Sequence, residues 1–282
     1  MNELLKEVNS SDIFSAGKTL HYIVELINSV DSSIFKIKSA IEIDPPLVAK
    51  ILKVSNSAHY GVKSEINEIE KAIVWLGFNT VRDIALRQKT ADMFQSEEKI
   101  FEYSRSELWK QNLLAAMVNR DIQRKELGQR GEHAYVSGLL HQLGIIVFEQ
   151  FRKADFKKIL EISHRQMQNI IDVEQEILGF NHAEFGTRML ENWKIAPEVS
   201  VPVRYYYAPL EAPFDFVKST CSLFLAHSIC HLNSDGFTDT PDFDERMFNT
   251  ILDKTNINYR ALQIIYDDTS EIINQMQEQG II

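Results

Sequence analysis

Apolar residues recur along most of this chain at the three-to-four-residue spacing of one helix face. Leu20, Ile23, Val24 and Ile27 open the pattern; Asp31 to Ser33 interrupt it with N-cap side chains, and Ile34, Ile37, Ala40 and Ile41 resume it. Asp44 followed by Pro45 reads as a helix start, a capping carboxylate ahead of a proline whose missing N–H costs nothing there. Leu47, Val48, Ile51 and Leu52 form the apolar face of that helix. It ends near Ser55, Asn56 and Ser57, whose short polar side chains compete for backbone groups. Ile69, Ala72, Ile73 and Leu76 make the next face, stopped by Gly77 at a C′ position; Asn79 or Thr80 recaps, and Val81, Ile84 and Ala85 face inward.

A polar stretch from Gln95 to Lys99 sets off an N-terminal helical subdomain, residues 1–100. Helical patterns then run from Phe101 to Arg124 and from Glu132 to Gln142, with a break at Gly144. Another starts near Asn181, and the last spans Tyr259 to Gln279. Tyr205 to Asp215, with Pro209 and Pro213, is the most loop-like part of the second half. The pattern predicts an all-α protein without a repeat of fixed period or a low-complexity tract.

Composition changes this picture little. With 11 Gly and 7 Pro in 282 residues, tight corners are few, which favours long helices. The formal net charge of −10 opposes the phosphate neutralisation that gives nucleic-acid binding most of its affinity. Arg120, Arg124, Lys125 and Arg130 therefore read as solvated helix faces, and no nucleic-acid partner is expected. The two cysteines, Cys221 and Cys230, do not suggest a disulfide framework. The first residues carry acids among their apolar positions and lack the apolar region of a signal peptide. No apolar run approaches the ~20 residues needed to cross a bilayer. A cytoplasmic location without membrane insertion is the expectation.

Candidate chemistry gathers around histidines. His141, in GLLHQLG, closes an apolar helix, where it is either a packed ligand or a core histidine with satisfied ring nitrogens. His182, in GFNHAEFG, lies just inside a helix start and can bind an anion or metal, or merely cap and pack. His227 and His231 are four apart between Cys221 and Cys230, so they project to one side of a helix as zinc ligands do. Yet no Glu stands between them as a base, and Leu223, Phe224, Leu225 and Ile229 give the segment the look of core helix. Tyr205, Tyr206 and Tyr207 are either an aromatic corner or a partner surface. No GxxxxGK[ST], GxGxxG or GxSxG motif is present.

The segment IEIDPPLVAKILKVSNSAHYGVKSEINEIEKAIVWLGFNTVRDIAL resembles the N-terminal signature of HDOD proteins, the HD-related output domains of bacterial signalling. The resemblance rests on Asp44, Pro45 and Leu47, then on Asn56, Ser57, Ala58, Tyr60 and Gly61. Ala72, Ile73, Leu76, Gly77, Val81, Arg82, Ala85 and Leu86 continue it. SELWKQNLLAA, YVSGLLHQLGIIVF, GFNHAEFGTRMLENWKIAPEVSVPVRYYYAP and STCSLFLAHSI follow in the family's order, so the likeness takes in roughly residues 15 to 235. It implies an HD-like helical core over residues 101–235 and a C-terminal helical extension over 236–282.

HD hydrolases hold divalent metals with a His, a His-Asp pair and a further Asp. Imidazoles bind the ion while carboxylates offset its charge, and the metal acidifies a water for attack on a phosphoester. At the matching positions this chain has Gln111 for the first His, His141-Gln142 for the pair and His227 for the late Asp. Tyr206-Tyr207 stands where a His-His often precedes the loop, and His182 remains nearby. The resemblance thus implies a degenerate metal site, no cofactor and no catalysis, in a regulatory module that binds another signalling protein or a small ligand. Asn56, Ser57, Tyr60 and Arg82 are its candidate binding residues, beside a groove between the N-terminal helices and the HD-like half; alternatively they cap, turn and pair within the fold. Two other functions stay open. One is a metal-dependent phosphohydrolase with a rearranged site built from His141, His182 and His227. The other is a small-molecule sensor using Gln111, Gln142, Tyr206 and His227 as polar contacts.

Overall fold

The computed structural model describes residues 1–11, 24, 38, 41–42, 44–62, 65–94, 96, 99–101, 103–233 and 243–278. Most of the two apolar runs expected between Leu20 and Ile41 lies outside the described residues, as does Gln279 at the end of the expected last helix. The chain divides into two compact units, one of residues 1–14 with 94–269, the other of 15–93 with 270–282.

In the smaller unit, helix α2 (Pro45–Ser55) starts where Asp44 accepts from the Leu47 backbone N–H at 3.1 Å, and it buries Leu47, Ile51 and Val54. A short 3₁₀ turn, Ala58–Tyr60, leads on to α3 (Ile69–Leu76), which ends at Gly77 with φ 83°. Helix α4 (Phe78–Met93) packs on both α2 and α3, burying Val81, Ile84, Ala85 and Leu86. Asp44 and Gly77 thus act as cap and stop, whereas Asn79 and Thr80, expected to recap, lie inside α4, which already begins at Phe78.

The larger unit begins with α1 (Asn2–Asn9). Its Glu7 takes a two-pronged pair of bonds from Arg152 at 2.9 and 3.0 Å, and Arg152 holds the Glu7 carboxyl below its ordinary pKa. The helix expected from Phe101 begins later, at Arg105. Ahead of it lies a two-residue antiparallel ladder, β1 (Lys99–Ile100) with β2 (Tyr103–Ser104), and the Ser104 hydroxyl caps the helix. That helix, α5 (Arg105–Asp121), runs on into one π-helical turn, Ile122–Glu126.

Helix α6 (Glu132–Leu140) follows, buried from Ala134 to Leu140, and the chain turns at His141-Gln142 rather than at Gly144. Gly144 lies inside α7 (Leu143–Phe151). Helices α8 (Lys153–Gln166) and α9 (Ile170–Leu178) come next, then α10 (His182–Asn192) and α11 (Pro197–Tyr205). Tyr205 still closes α11, but from Tyr206 to Asp215 the chain departs from α-helix as expected, with two 3₁₀ turns at Pro209–Glu211 and Phe214–Phe216. Helix α12 (Val217–Leu232), α13 (Glu245–Thr255) and α14 (Tyr259–Glu278) complete the order.

Helices α6 and α12 are buried nearly all round, which explains their continuous apolar sequences. α6 packs against α5, α11 and α12. One polar lock ties three of these together: Asn119 Nδ2 donates to the Ala134 carbonyl at 2.9 Å, and the Ser222 hydroxyl donates to Asn119 Oδ1. A cluster of Val118, Ile122, Leu225, Ile229, Ile251 and Leu262 joins α5, α12, α13 and the first part of α14. Arg120 of α5 meets Asp121, and in the π-helical turn Arg124 meets Glu132 while Lys125 meets Asp121 and Asp268.

Both cysteines are reduced and buried on α12, and burial raises both thiol pKa values, that of Cys221 to about 11. A Cys raised in the folded state stabilises fully below the unfolded pKa of about 8.5 and loses that contribution as pH climbs toward 11. At pH 8 neither thiol is expected to react with a chromogenic disulfide reagent until denaturant is added, when both titrate. Prompt reaction of native protein would contradict the burial.

Candidate functional site

Five elements of the larger unit bring titratable and polar side chains into one enclosed cluster. Helix α6 closes on His141, whose Nδ1–H donates to the Gly138 carbonyl at 2.8 Å and so satisfies one of the last carbonyls of the helix. Its Nε2, left as an acceptor, faces His227 Nδ1 on α12 at 3.1 Å. The two rings meet nearly edge-on, with centroids 5.2 Å apart.

Across the cluster, Asn181 caps α10 by accepting from the Glu184 backbone N–H at 2.9 Å, which makes His182 the first helical residue. The backbone N–H of His182 has no carbonyl partner within its own helix. It donates instead to Glu174 Oε2 of α9 at 2.8 Å, and the ring Nδ1–H donates to the same oxygen at 2.7 Å. On the far side of the ring, Nε2 accepts the Tyr206 hydroxyl at 2.7 Å. His182 and Glu174 are each 0% exposed and Tyr206 is 2% exposed. The Tyr206 ring lies edge-on to His141 at 4.9 Å and to His227 at 5.1 Å, which links the two halves of the cluster.

The structure therefore brings His141, His182, Tyr206 and His227 together, all of them singled out in the sequence. Gln142 is buried in the turn that follows His141. Gln111 is buried on α5, and both polar atoms of its amide lack a hydrogen-bond partner among the described residues. Tyr207 points elsewhere: its hydroxyl accepts from Asn181 at 3.2 Å, and burial pushes its phenol up. His231 stacks beyond His227 at 6.4 Å and is only half-buried.

Sequence reasoning missed Glu174. The signal was present, since Glu174 falls in step with Ile170, Ile171 and Leu178 on the apolar face of α9, where a charge needs a buried partner.

A divalent ion would not fit these residues. Both ring nitrogens of His141 and both of His182 are engaged in hydrogen bonds, and one Glu174 carboxylate oxygen, Oε2, is bound to His182, while Oε1 has no hydrogen-bond partner among the described residues. Gln111 and Gln142 offer neutral amides, which cannot offset a double charge away from water. No group of three or more His, Cys, Asp or Glu among the described residues is placed to hold a metal. A hydroxyl, an imidazole and a carboxylate in series is an arrangement that activates nucleophiles elsewhere; here all three members are buried.

The four candidate binding residues lie in the smaller unit. Asn56 spends its amide on the backbone, donating to the Leu52 and Ile66 carbonyls at 2.8 and 2.7 Å and accepting from the Ile66 N–H at 2.8 Å. Ser57 donates to the Val54 carbonyl at 2.7 Å, and buried Arg82 binds Asp83 at 3.1 Å. The Tyr60 carbonyl accepts the Trp75 indole N–H at 3.2 Å, and burial raises the Tyr60 phenol. These bonds support the fold of the turn.

Comparison with known proteins puts the whole arrangement in context. The family model for the HDOD domain matches residues 13–209. An uncharacterized protein of Treponema pallidum (strain Nichols) is 24% identical over 209 residues, taking in 73% of this chain but only 39% of the relative's length. Among solved structures, a candidate signal transduction protein from Marinobacter aquaeolei VT8 superposes with a TM-score of 0.76 at 20% identity, over 93% of this chain and 58% of that one. An HDOD domain protein of unknown function from Geobacter sulfurreducens gives 0.69 at 20% identity, covering 89% and 91%. A candidate phosphohydrolase from Shewanella amazonensis SB2B gives 0.68 at 22% identity, covering 94% and 91%. At these identities the structures share the fold. No helix among the described residues is long and apolar enough to cross a membrane.

Proposed function

Because the chain belongs to the HDOD domain family, we propose that it is a non-catalytic signal-transduction module, acting by binding a protein or small ligand, in which the HD-type metal site is degenerate. The observation that carries this reading is the internal use of the histidines. Glu174, His182 and Tyr206 form one hydrogen-bonded series, and Gly138, His141 and His227 form another, which supports a role for the imidazoles in holding helices together rather than in binding an ion. The amides at Gln111 and Gln142, where HD enzymes carry a His and an Asp, support the same conclusion. A cytoplasmic location and another bacterial signalling protein as partner follow from the family's role.

Elemental analysis of protein purified without a His-tag or chelator tests the proposal. Less than about a tenth of an equivalent of transition metal is expected. A full equivalent that vanishes in His141→Ala would overturn it in favour of a metal-dependent phosphohydrolase. One observation favours a small polar ligand over a protein, namely the Gln111 amide on α5, buried with neither polar atom bonded to a described residue.

A further inference from the structure

Arg87 of α4 is 8% exposed, and no described residue supplies its counterion. Its Nη1–H donates to the Sδ of Met276, a residue of α14 in the same unit, at 3.3 Å. Among the described residues that is its one hydrogen bond. A thioether is a weak acceptor, and a guanidinium cannot shed a proton to escape burial. A buried cation without an anion is among the costlier things a fold can hold. The acids of α2, of its cap and of α4 do not relieve it. Asp83 pairs with Arg82 at 3.1 Å, and Asp44 and Asp92 both pair with Lys89.

Two further donors stand beside this guanidinium. Helix α2 packs on α4, and Lys50 lies one turn from both Leu47 and Val54, at the edge of the buried face of α2. Lys50 is half-buried and has no ion pair among the described residues. Burial holds its ammonium below the ordinary pKa, and like charge from Lys53 and Arg87 adds to the effect. The half-buried Tyr60 phenol, just beyond α2, is raised by burial; the Arg87 charge acts against that and Asp83 with it. The phenol therefore keeps its proton at neutral pH and offers a hydroxyl. A planar fork, an ammonium and a phenol make a donor set in which the two cations repel each other until an anion joins them. A carboxylate brings two oxygens and one charge to these donors. A phosphate dianion brings more oxygens and the larger charge, and the fork of an arginine fits it with two parallel bonds.

We propose that Arg87, Lys50 and the Tyr60 hydroxyl form a binding site for a phosphate group, the guanidinium of Arg87 supplying the paired bonds and Lys50 the second charge. The site lies in the smaller unit, apart from the histidine cluster, so it goes beyond the binding-module reading. It also fails separately from that reading, because metal content does not depend on Arg87.

Isothermal titration calorimetry of the full chain in phosphate-free chloride buffer, at about pH 7.5 where phosphoesters are dianions, tests the site. The probes are inorganic phosphate, O-phosphoserine and, as the carboxylate, acetate, all at matched ionic strength. Phosphate or phosphoserine is expected to bind with a dissociation constant on the order of 1 mM or tighter, and acetate at least about tenfold more weakly. Tighter binding of phosphoserine supports a phosphoester as the natural ligand, and tighter binding of inorganic phosphate supports the free ion. Arg87→Met, an apolar chain of similar length in place of the cation, is expected to weaken binding at least about tenfold. Lys50→Gln and Tyr60→Phe are each expected to weaken it several-fold. Both are conservative changes at half-buried positions, so they carry the test should Arg87→Met fail to fold, and circular dichroism checks all three. Absence of binding by both phosphate probes overturns the proposal. So does acetate binding as tightly as phosphate, or affinity that Lys50→Gln and Tyr60→Phe leave unchanged.

Discussion

Glu174→Ala is expected to cost about 3–5 kcal/mol of unfolding free energy, because two buried donors lose their acceptor and a cavity is left. The substitution takes away the acceptor for two donors at once, the His182 backbone N–H at 2.8 Å and its Nδ1–H at 2.7 Å, in a site from which water is excluded. Each stranded donor carries a desolvation penalty of about 1–3 kcal/mol, and the lost side chain adds a cavity. Glu174→Gln keeps one oxygen to receive both donors but loses the charge that strengthens them, so a smaller loss, about 1–3 kcal/mol, is expected. Glu176→Ala, two residues along on the exposed side of α9, should stay within about 0.5 kcal/mol of the parent. Urea unfolding followed by circular dichroism measures all three. A Glu174→Ala protein as stable as Glu176→Ala would show that the carboxylate does not bind His182.

How much of this could be read from sequence depended on whether a signal was local. The starts of α2 and α10 were legible because Asp44 and Asn181 cap backbone groups three residues away. Gly77 and the proline-marked loop after Tyr205 were legible for the same reason, since turn chemistry acts over a few residues. The run from Leu143 to Leu178 was not resolved into its three helices. LGIIVF is apolar at every position because α7 is buried almost throughout, so no period marks a face. The histidines could be singled out, but not their pairing. His141 and His227 lie 86 residues apart, and their contact exists only once α6 and α12 pack together. Family likeness named the positions of a metal site, whereas only the coordinates show that a glutamate on a neighbouring helix has claimed His182.

The second large effect concerns the glycine that follows His141. On Gly144 of α7, a Cβ would stand 2.2 Å from the carbonyl oxygen of His182 and 2.8 Å from its carbonyl carbon and Cα. These are backbone atoms at the first residue of α10, so no side chain can rotate away and one helix must move. Overpacking of a core costs about 1–3 kcal/mol when side chains can adjust, and more where backbone must shift. Gly144→Ala is therefore expected to lose about 3–5 kcal/mol or to yield insoluble protein, although alanine is the better helix former. Gly186, facing the same crossing from α10, gives the contrast. A Cβ there meets Gly144 N at 3.5 Å, ordinary van der Waals contact, so Gly186→Ala should be neutral or gain up to about 1 kcal/mol. The sign difference between two glycines at one helix crossing is hard to obtain from propensity or burial alone. If Gly144→Ala were tolerated, the backbones of α7 and α10 could not be as close as described. Measured together, the two alanine variants test how closely α7 and α10 cross beside the first residue of α10, His182.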